Sequence, residues 1–242
     1  SDTVNYRLPF HIFTGWSAGF TVLPRMRHMF HYRSTRVTQD LDRISQYENK
    51  PRQKVLVSGS TGMIGLQLCA FLEAGGHEVY RLLRPKTRLP PDVNSDKVVI
   101  WDDITGDIIK GDMEGFDSII HLAGAGIGDK RWSKKRKKLI RDSRVIPTTN
   151  LSKIISNLKN PPKKLLCASA VGFYGNRGTE VIDETSEPID DFLSTICQEW
   201  ENSTSAATES GVNVIHMRTG IVVSPFGGAL AKLLLPAMMG AG

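Results

Sequence analysis

Lys54-Val55-Leu56-Val57-Ser58-Gly59-Ser60-Thr61-Gly62-Met63-Ile64-Gly65 is the stretch whose reading decides the fold. It opens as a short apolar, β-branched run of the kind that favours a strand. Glycines then fall at 59, 62 and 65. A helix-like run from Leu66 to Ala74 follows and stops at Gly75-Gly76, and Glu78 to Leu83 reads as a second strand. The order strand, glycine loop, helix, strand turns a loose glycine pattern into a dinucleotide-binding expectation. Gly59 permits the tight turn off the strand, and Gly62 lets the backbone approach a pyrophosphate. Gly65 lets the helix pack against the strand, while the helix N-terminus offers free N–H groups and a positive dipole end. The spacing is GxxGxxG rather than GxGxxG. The expected cofactor-binding loop is Gly59, Ser60, Thr61, Gly62, Met63, Ile64 and Gly65. The plain alternative is a glycine-rich connection in an ordinary α/β protein.

From Lys54 onward the periodicity alternates strand and helix, which predicts a parallel sheet with helices on both faces. The expected strands are 54–58, 78–83, 97–101, 117–122, 163–169 and 212–217. The expected helices are 63–74, 133–157 with a break or bend near Pro147, and 190–210. The fold class is therefore α/β, a Rossmann-like doubly wound parallel sheet. Asp117 to Gly124 reads as a buried strand ending in small residues, which leave room for a ligand at the sheet's crevice. Leu122, Ala123 and Gly124 join the expected cofactor site on that ground. Lys164 to Gly175 repeats the logic. His121, in an apolar strand with no visible partner, reads as a core histidine rather than a base.

Residues 1–53 differ in character, being rich in aromatics, Arg and His, with Pro9 and Pro24 as breaks. Asp2 to Pro9 has the look of a strand, and Val22 to Asp42 has helical apolar spacing. A strand and helix this short cannot bury a core of their own. The segment is thus an N-terminal strand–helix appendage, joined through Pro51-Arg52-Gln53.

The 242 residues suffice for one large domain plus fragments. No segment approaches the ~18 uninterrupted apolar residues of a membrane span, and no basic-then-apolar signal opens the sequence. Cys69, Cys167 and Cys197 are widely spaced and form neither a metal pattern nor a disulfide framework. The expectation is a cytosolic (cytoplasmic) protein with no membrane partner. The formal net charge of +6 comes largely from Lys130 to Arg144, centred on Lys134-Lys135-Arg136-Lys137-Lys138. Such a run reads as a solvated helix face or as a site for an anionic ligand. No recognition fold accompanies it, so no nucleic-acid partner is expected.

Four segments together carry a more specific resemblance: Gly59-Ser60-Thr61-Gly62-Met63-Ile64-Gly65, His121-Leu122-Ala123-Gly124-Ala125, Ser169 to Gly175, and Arg218 to Pro225. They resemble the extended short-chain dehydrogenase/reductases. More closely they resemble the atypical, sugar-nucleotide-epimerase-like branch, sometimes labelled cell-division-inhibitor-like. Arg131-Trp132-Ser133, Ser143-Arg144, Trp200-Glu201 and Gly227-Gly228-Ala229-Leu230 fit that branch's pattern over roughly residues 54–242. The resemblance implies a small substrate domain beyond the GGAL segment that is missing from this chain. It also implies that residues 1–53 are the tail of a START-like domain. On that reading the chain is the middle of a longer protein.

The superfamily's catalytic pattern is a Tyr and, four residues on, a Lys that lowers the tyrosine's pKa so it moves protons at neutral pH. Here the corresponding stretch is Phe192-Leu193-Ser194-Thr195-Ile196-Cys197, which offers neither. The usual Ser/Thr position falls on Ala170, with Ser169 one residue early, and the usual Asn position is Arg144. The remaining catalytic candidates are Ser169 and Tyr174, and Tyr174 also reads as a packed tyrosine. In NAD-selective members an acid ends the second strand on the ribose hydroxyls. This chain has Leu83 there, followed by Arg84, with Arg81 and Lys86 nearby. An arginine in that place pairs with a 2′-phosphate through charge-assisted bonds, so NADP is the expected cofactor. Arg144 is expected at the same anion site or facing the pyrophosphate, Asp102 at the adenine or as a plain turn aspartate, and Arg218 completes the expected cofactor set. The resemblance implies an NADP(H)-dependent oxidoreductase or nucleoside-diphosphate-sugar epimerase (isomerase) acting on a small, nucleotide-linked or simpler substrate. The missing Tyr/Lys pair keeps a second class open: an NADP(H)-binding sensor or scaffold without turnover, coupled to a START-like ligand-binding module.

Overall fold

The computed structural model describes residues 18–89, 91, 93–128, 130–224 and 227–240. The chain divides into two units, Ser1–Pro51 and Arg52–Gly242. In the first, the described part is helix α1 (Ala18–Ser45), which runs through Pro24. The strand expected over Asp2 to Pro9 lies outside the described residues.

The second unit is one seven-stranded sheet with helices on both faces. Its elements are β1 (Lys54–Ser58), α2 (Met63–Ala74), β2 (Glu78–Leu83), β3 (Val98–Trp101), β4 (Ile108–Lys110) and β5 (Ser118–His121), then α3 (Lys134–Ser156), β6 (Lys164–Ala170), α4 (Phe192–Asn202), α5 (Ser205–Glu209), β7 (Asn213–Thr219) and α6 (Gly228–Met238). The strand order is β4-β3-β2-β1-β5-β6-β7. All neighbours are parallel except the β3–β4 pair. The chain therefore winds outward from β1 through β2 and β3, then returns to the other side of β1 as β5. In such sheets the crevice where the winding reverses, beyond the carboxyl ends of the strands, is where ligands bind. Here it lies between β1 and β5, whose register pairs Ser58 with His121.

Alternation along β1 explains the two layers of core. Val55 and Val57 face α2, meeting Cys69, Val79 and Ile120 with Leu68 and Leu72 against them. Leu56 faces the opposite layer with Leu82, Trp101, Ile119 and Leu165, closed by Leu151 and Ile155 of α3. Strands buried on both faces are near-continuous apolar runs, which is how these read in the sequence.

Three elements differ from expectation. The short edge strand β4 went unread: all three residues are exposed, so no buried face left a periodic mark. Helix α3 is continuous through Pro147 rather than broken. A proline removes one N–H, and only the Ser143 carbonyl loses its helical partner; burial of Thr148, Leu151, Ser152 and Ile155 carries the helix on. The helix expected over 190–210 is two helices. At the break, the Ser203 hydroxyl donates to the Glu199 carbonyl and the Thr204 hydroxyl to the Glu201 carbonyl, side-chain bonds that compete with helix continuation.

The buried His121 corrects the reading that it has no partner. Its Nδ1 lies 2.6 Å from Ser58 Oγ and its Nε2 3.1 Å from Thr148 Oγ1. The Trp200 indole N–H donates to the same Thr148 oxygen at 3.0 Å. A neutral ring has one N–H and one lone pair, so it satisfies one hydroxyl as donor and the other as acceptor. Burial pushes its pKa down from 6.5 to about 4. The folded protein thus resists a proton that the unfolded chain accepts. The stabilisation is complete above pH 6.5 and drains away as pH falls toward about 4, by roughly 3 kcal/mol. Urea unfolding across that interval is expected to show this loss, and His121→Gln to flatten it. An equally steep acid dependence in the variant would assign it to carboxylates instead.

Candidate functional site

At the carboxyl ends of β1, β2 and β5 lies a cleft of about 350 Å³. Ser58, Gly59, Thr61 and Gly62 form its floor. Leu82, Leu83, Arg84, Thr87, Trp101 and Asp103 form one wall, and Leu122 to Ala125 with Leu139 and Ser143 the other.

The floor depends on missing side chains. Gly59 has φ +67°, and a Cβ there would fall 2.8 Å from the Leu122 carbonyl carbon. A Cβ on Gly65 would fall 2.2 Å from the Gly59 oxygen and 2.7 Å from Ser60 Cα, so this glycine seats the first turn of α2 on the loop itself. Gly62 is the N-cap of α2 and supplies no side-chain cap. Part of the set of N–H groups that every helix start leaves open is therefore available toward the cleft. Ser60 is buried and its Oγ lacks a hydrogen-bond partner. Beneath the loop, the buried Arg81 donates to the Ser60 carbonyl and to Glu73, both at 3.4 Å. This guanidinium buttresses the loop and does not join Arg84 at the surface.

Of the residues expected to hold a cofactor, Gly59, Thr61, Gly62, Leu83, Arg84, Leu122, Ala123 and Gly124 line the cleft. Ser60, Met63, Ile64 and Gly65 do not line it, and Met63 is turned toward Gly227 and Gly228. Arg84 is 70% exposed, with Asp103 at 4.0 Å. Asp102 borders the adjoining hollow with Arg84 and Asp103, and its Oδ1 accepts the N–H groups of Ile104 and Thr105 at 2.9 and 3.2 Å. The acid on the cleft wall is Asp103, whose carboxyl burial holds above the usual carboxylate range against the pull of Arg84. Two adjacent aspartates precede Thr105-Gly106. The first caps the turn, as Asp does in such turns, which frees the second. That signal was present in the sequence. Ser58, Thr87, Trp101, Ala125, Leu139 and Ser143 also line the cleft and were missed. Ser143 Oγ accepts the Ala125 N–H at 3.1 Å and so fixes the loop after β5.

Arg144 and Arg218 do not line this cleft. Arg144 packs behind Gly124, one strand spacing beyond the glycine loop and on the opposite side of β1 from Arg84. Arg218 belongs to a separate buried cluster. Its Nε and Nη2 donate to the two oxygens of Glu201 at 2.9 and 2.8 Å, and its Nη1 to Tyr174 Oη at 2.9 Å. Its guanidinium stacks 3.5 Å from the Phe173 ring centroid. Ser169 Oγ donates to Glu201 at 2.6 Å. Burial works against the Glu201 charge, but the bonds from Arg218 and Ser169 prevail and hold its pKa low. The two catalytic candidates, Ser169 and Tyr174, thus meet in one network, both buried and both engaged.

The three cysteines are buried and unpaired; burial pushes Cys167 up to about 12 and raises Cys197, so neither is a ready thiolate. Among the described residues no His, Cys, Asp or Glu cluster suits a metal, and no helix is long and apolar enough to cross a membrane.

Comparison with known proteins gives a consistent picture. The NAD dependent epimerase/dehydratase family matches over residues 55–240. An epimerase family protein of Mycobacterium tuberculosis is 37% identical over 179 residues, covering 74% of this chain and 57% of that protein. The human epimerase family protein SDR39U1 is 31% identical over 192 residues, covering 78% and 61%. The chain thus spans little more than half the length of the curated relatives it matches. Among solved structures, the nucleoside-diphosphate sugar epimerase of Corynebacterium glutamicum superposes with TM-score 0.72 at 34% identity, over 88% of this chain and 44% of that one. Human SDR39U1 isoform 2, crystallised with NADPH, superposes with TM-score 0.67 at 31% identity, over 78% and 60%.

The Glu201–Arg218 pair yields a stability test. Glu201→Gln leaves a guanidinium facing a neutral amide, and breaking a buried pair from one side is costly. Arg218 is 20% exposed, so the loss is discounted to about 2 kcal/mol. The double variant Glu201→Leu/Arg218→Met, which leaves no orphaned charge, is expected to lose less in thermal or urea unfolding. A double variant as unstable as the sum of Glu201→Leu and Arg218→Met alone would mean that the charges do not interact.

Proposed function

The chain belongs to the NAD dependent epimerase/dehydratase family, and on that premise we propose that it binds NADP(H) in the cleft beyond β1 and acts on a small substrate. The observation that carries the cofactor choice is Arg84 on the wall of the cleft, following Leu83 where an acid would select NAD. The NADPH in the human relative's crystal supports it. So does the chemistry of the floor: a helix start without a side-chain cap, a close-packed loop with glycines at 59 and 62, and an unpartnered buried hydroxyl at Ser60. Gly59, Thr61 and Gly62 would hold the pyrophosphate, Arg84 the 2′-phosphate, Leu83 and Asp103 the adenosine side, and Leu122 to Gly124 the far half. When bound, the nicotinamide supplies hydride exchange.

For turnover the protein must also move a proton. Tyr174 is the nearest counterpart of the superfamily's acid, with the Arg218 cation at its oxygen in place of lysine. The Corynebacterium relative's name, a nucleoside-diphosphate sugar epimerase, supplies the substrate precedent. A second reading is an NADP(H)-binding protein without catalysis. It is favoured by Ser169 and Tyr174 being spent on Glu201 and Arg218, and by the absence of Tyr and Lys from α4. The relatives' longer chains leave both the substrate pocket and a START-like partner module as proposals.

Calorimetric titration is expected to find NADPH bound about ten- to a hundredfold tighter than NADH, the worth of one strong charge-assisted contact. Arg84→Ala is expected to remove that preference, and Gly62→Val to abolish binding of both while the fold survives. Equal affinities in the wild type would defeat the assignment of Arg84. A folded Gly62→Val that still binds would place the cofactor elsewhere.

A further inference from the structure

Among the described residues Arg144 is a cation without a paired carboxylate. Its Nη1 donates to the carbonyl of Ile140 in its own helix at 2.9 Å. Its guanidinium lies 5.1 Å from the ring centroid of Trp200. Among the described residues no carboxylate stands within 4.0 Å of it. Among the described residues, three other sheltered guanidiniums stand against carboxylates: Arg81 with Glu73, Arg177 with Glu180, Arg218 with Glu201. Burial of Arg144 weakens its hold on the proton, Cys197 opposes that in part, and the nearby Arg136 cation adds to it. A guanidinium has five N–H donors, and one is used here.

Its surroundings hold it in place. Trp200 is buried, and its indole N–H is spent on Thr148. Thr148 is in turn held by His121, and His121 by Ser58 on the floor of the cleft. On its other side the guanidinium meets Gly124. A Cβ there would stand 3.4 Å from Arg144 Cζ and 3.6 Å from Nε, so any larger residue would screen the cation from the cleft that Gly124 and Ser143 line. The exposed cations Lys134 and Lys135 on the same helix raise the local concentration of anions, while Lys138 is paired with Asp142.

We propose that Arg144 receives an anionic group of the substrate, a carboxylate or a phosphate, where the end of β5 meets α3. The proposal rests on the reading of the cleft as the NADP(H) site. The cofactor's pyrophosphate has its own place at the start of α2, and its 2′-phosphate belongs beside Arg84 across β1. The β5 wall is the side left for substrate, and Arg144 selects an acidic one.

The test uses the whole chain with inorganic phosphate and oxalate as probes, at ionic strength held constant with sodium chloride, with and without saturating NADPH. Wild type is expected to gain thermal stability with at least one probe beyond the chloride control. Arg144→Gln is expected to bind that probe about tenfold or more weakly, to keep its NADPH affinity, and to be no less stable than wild type without anions. Arg144→Lys is expected to recover part of the response. A response to phosphate alone makes the group phosphoryl; a response to oxalate alone makes it a carboxylate. An anion response unchanged in Arg144→Gln, or none in wild type, overturns the proposal. So does a parallel loss of NADPH affinity, which would hand Arg144 to the pyrophosphate. Wild type that fails to bind NADPH counts against the cofactor reading alone, because the titrations without NADPH still decide Arg144.

Discussion

Helix α2 reaches the carboxyl end of β1 only because Gly65 has no side chain. A single methyl there would fall 2.2 Å from the Gly59 oxygen, well inside contact distance. Everything at the centre of the molecule follows from that approach. The loop closes tightly enough for Gly59 to turn under Leu122, and Arg81 fits beneath it with its charge shared between Ser60 and Glu73. The helix start is left facing open space at the crevice between β1 and β5. The constraint is one of backbone against backbone, which cannot be relieved by choosing another rotamer.

That constraint explains why so much of the centre was legible in the sequence. Backbone requirements leave glycines, and glycines at 59, 62 and 65 after a β-branched run can be read directly. The buried strands were equally plain, since each must be apolar on both faces. What escaped was set by partners distant in sequence. His121 looks solitary along the chain, yet it is satisfied by Ser58 and Thr148, 63 and 27 residues away. Arg218 looks like a free cation near a glycine loop, yet Glu201 and Tyr174 absorb it. Asp102 and Asp103 look interchangeable until the turn to Thr105 takes the first. β4, with no buried face, left no pattern at all.

The two arginines at the far side of the sheet show how placement decides chemistry. Arg218 has a bidentate carboxylate, a phenol and an aromatic face, and acts as a strut for the residues around it. Arg144 has an aromatic face and one carbonyl, and retains most of its donors. A burial cost left standing beside a cleft is what a binding group carries and a strut does not. The same contrast separates Arg81, inside β2, from Arg84, just past its end: one is locked beneath the loop, the other stands 70% exposed at the rim.

Pro147 divides α3 into unlike halves. Beyond it, Thr148, Leu151, Ser152 and Ile155 are buried; before it, only Ile140 is fully covered, under a run of lysines. At the junction the Ser143 carbonyl lacks its usual amide donor, while the Ser143 hydroxyl steadies the loop over the cleft. The ladder is thus weakest where the solvated half meets the anchored one. Its amides divide accordingly in their opening energies, the first turns by fraying from the free end and the last only with the core.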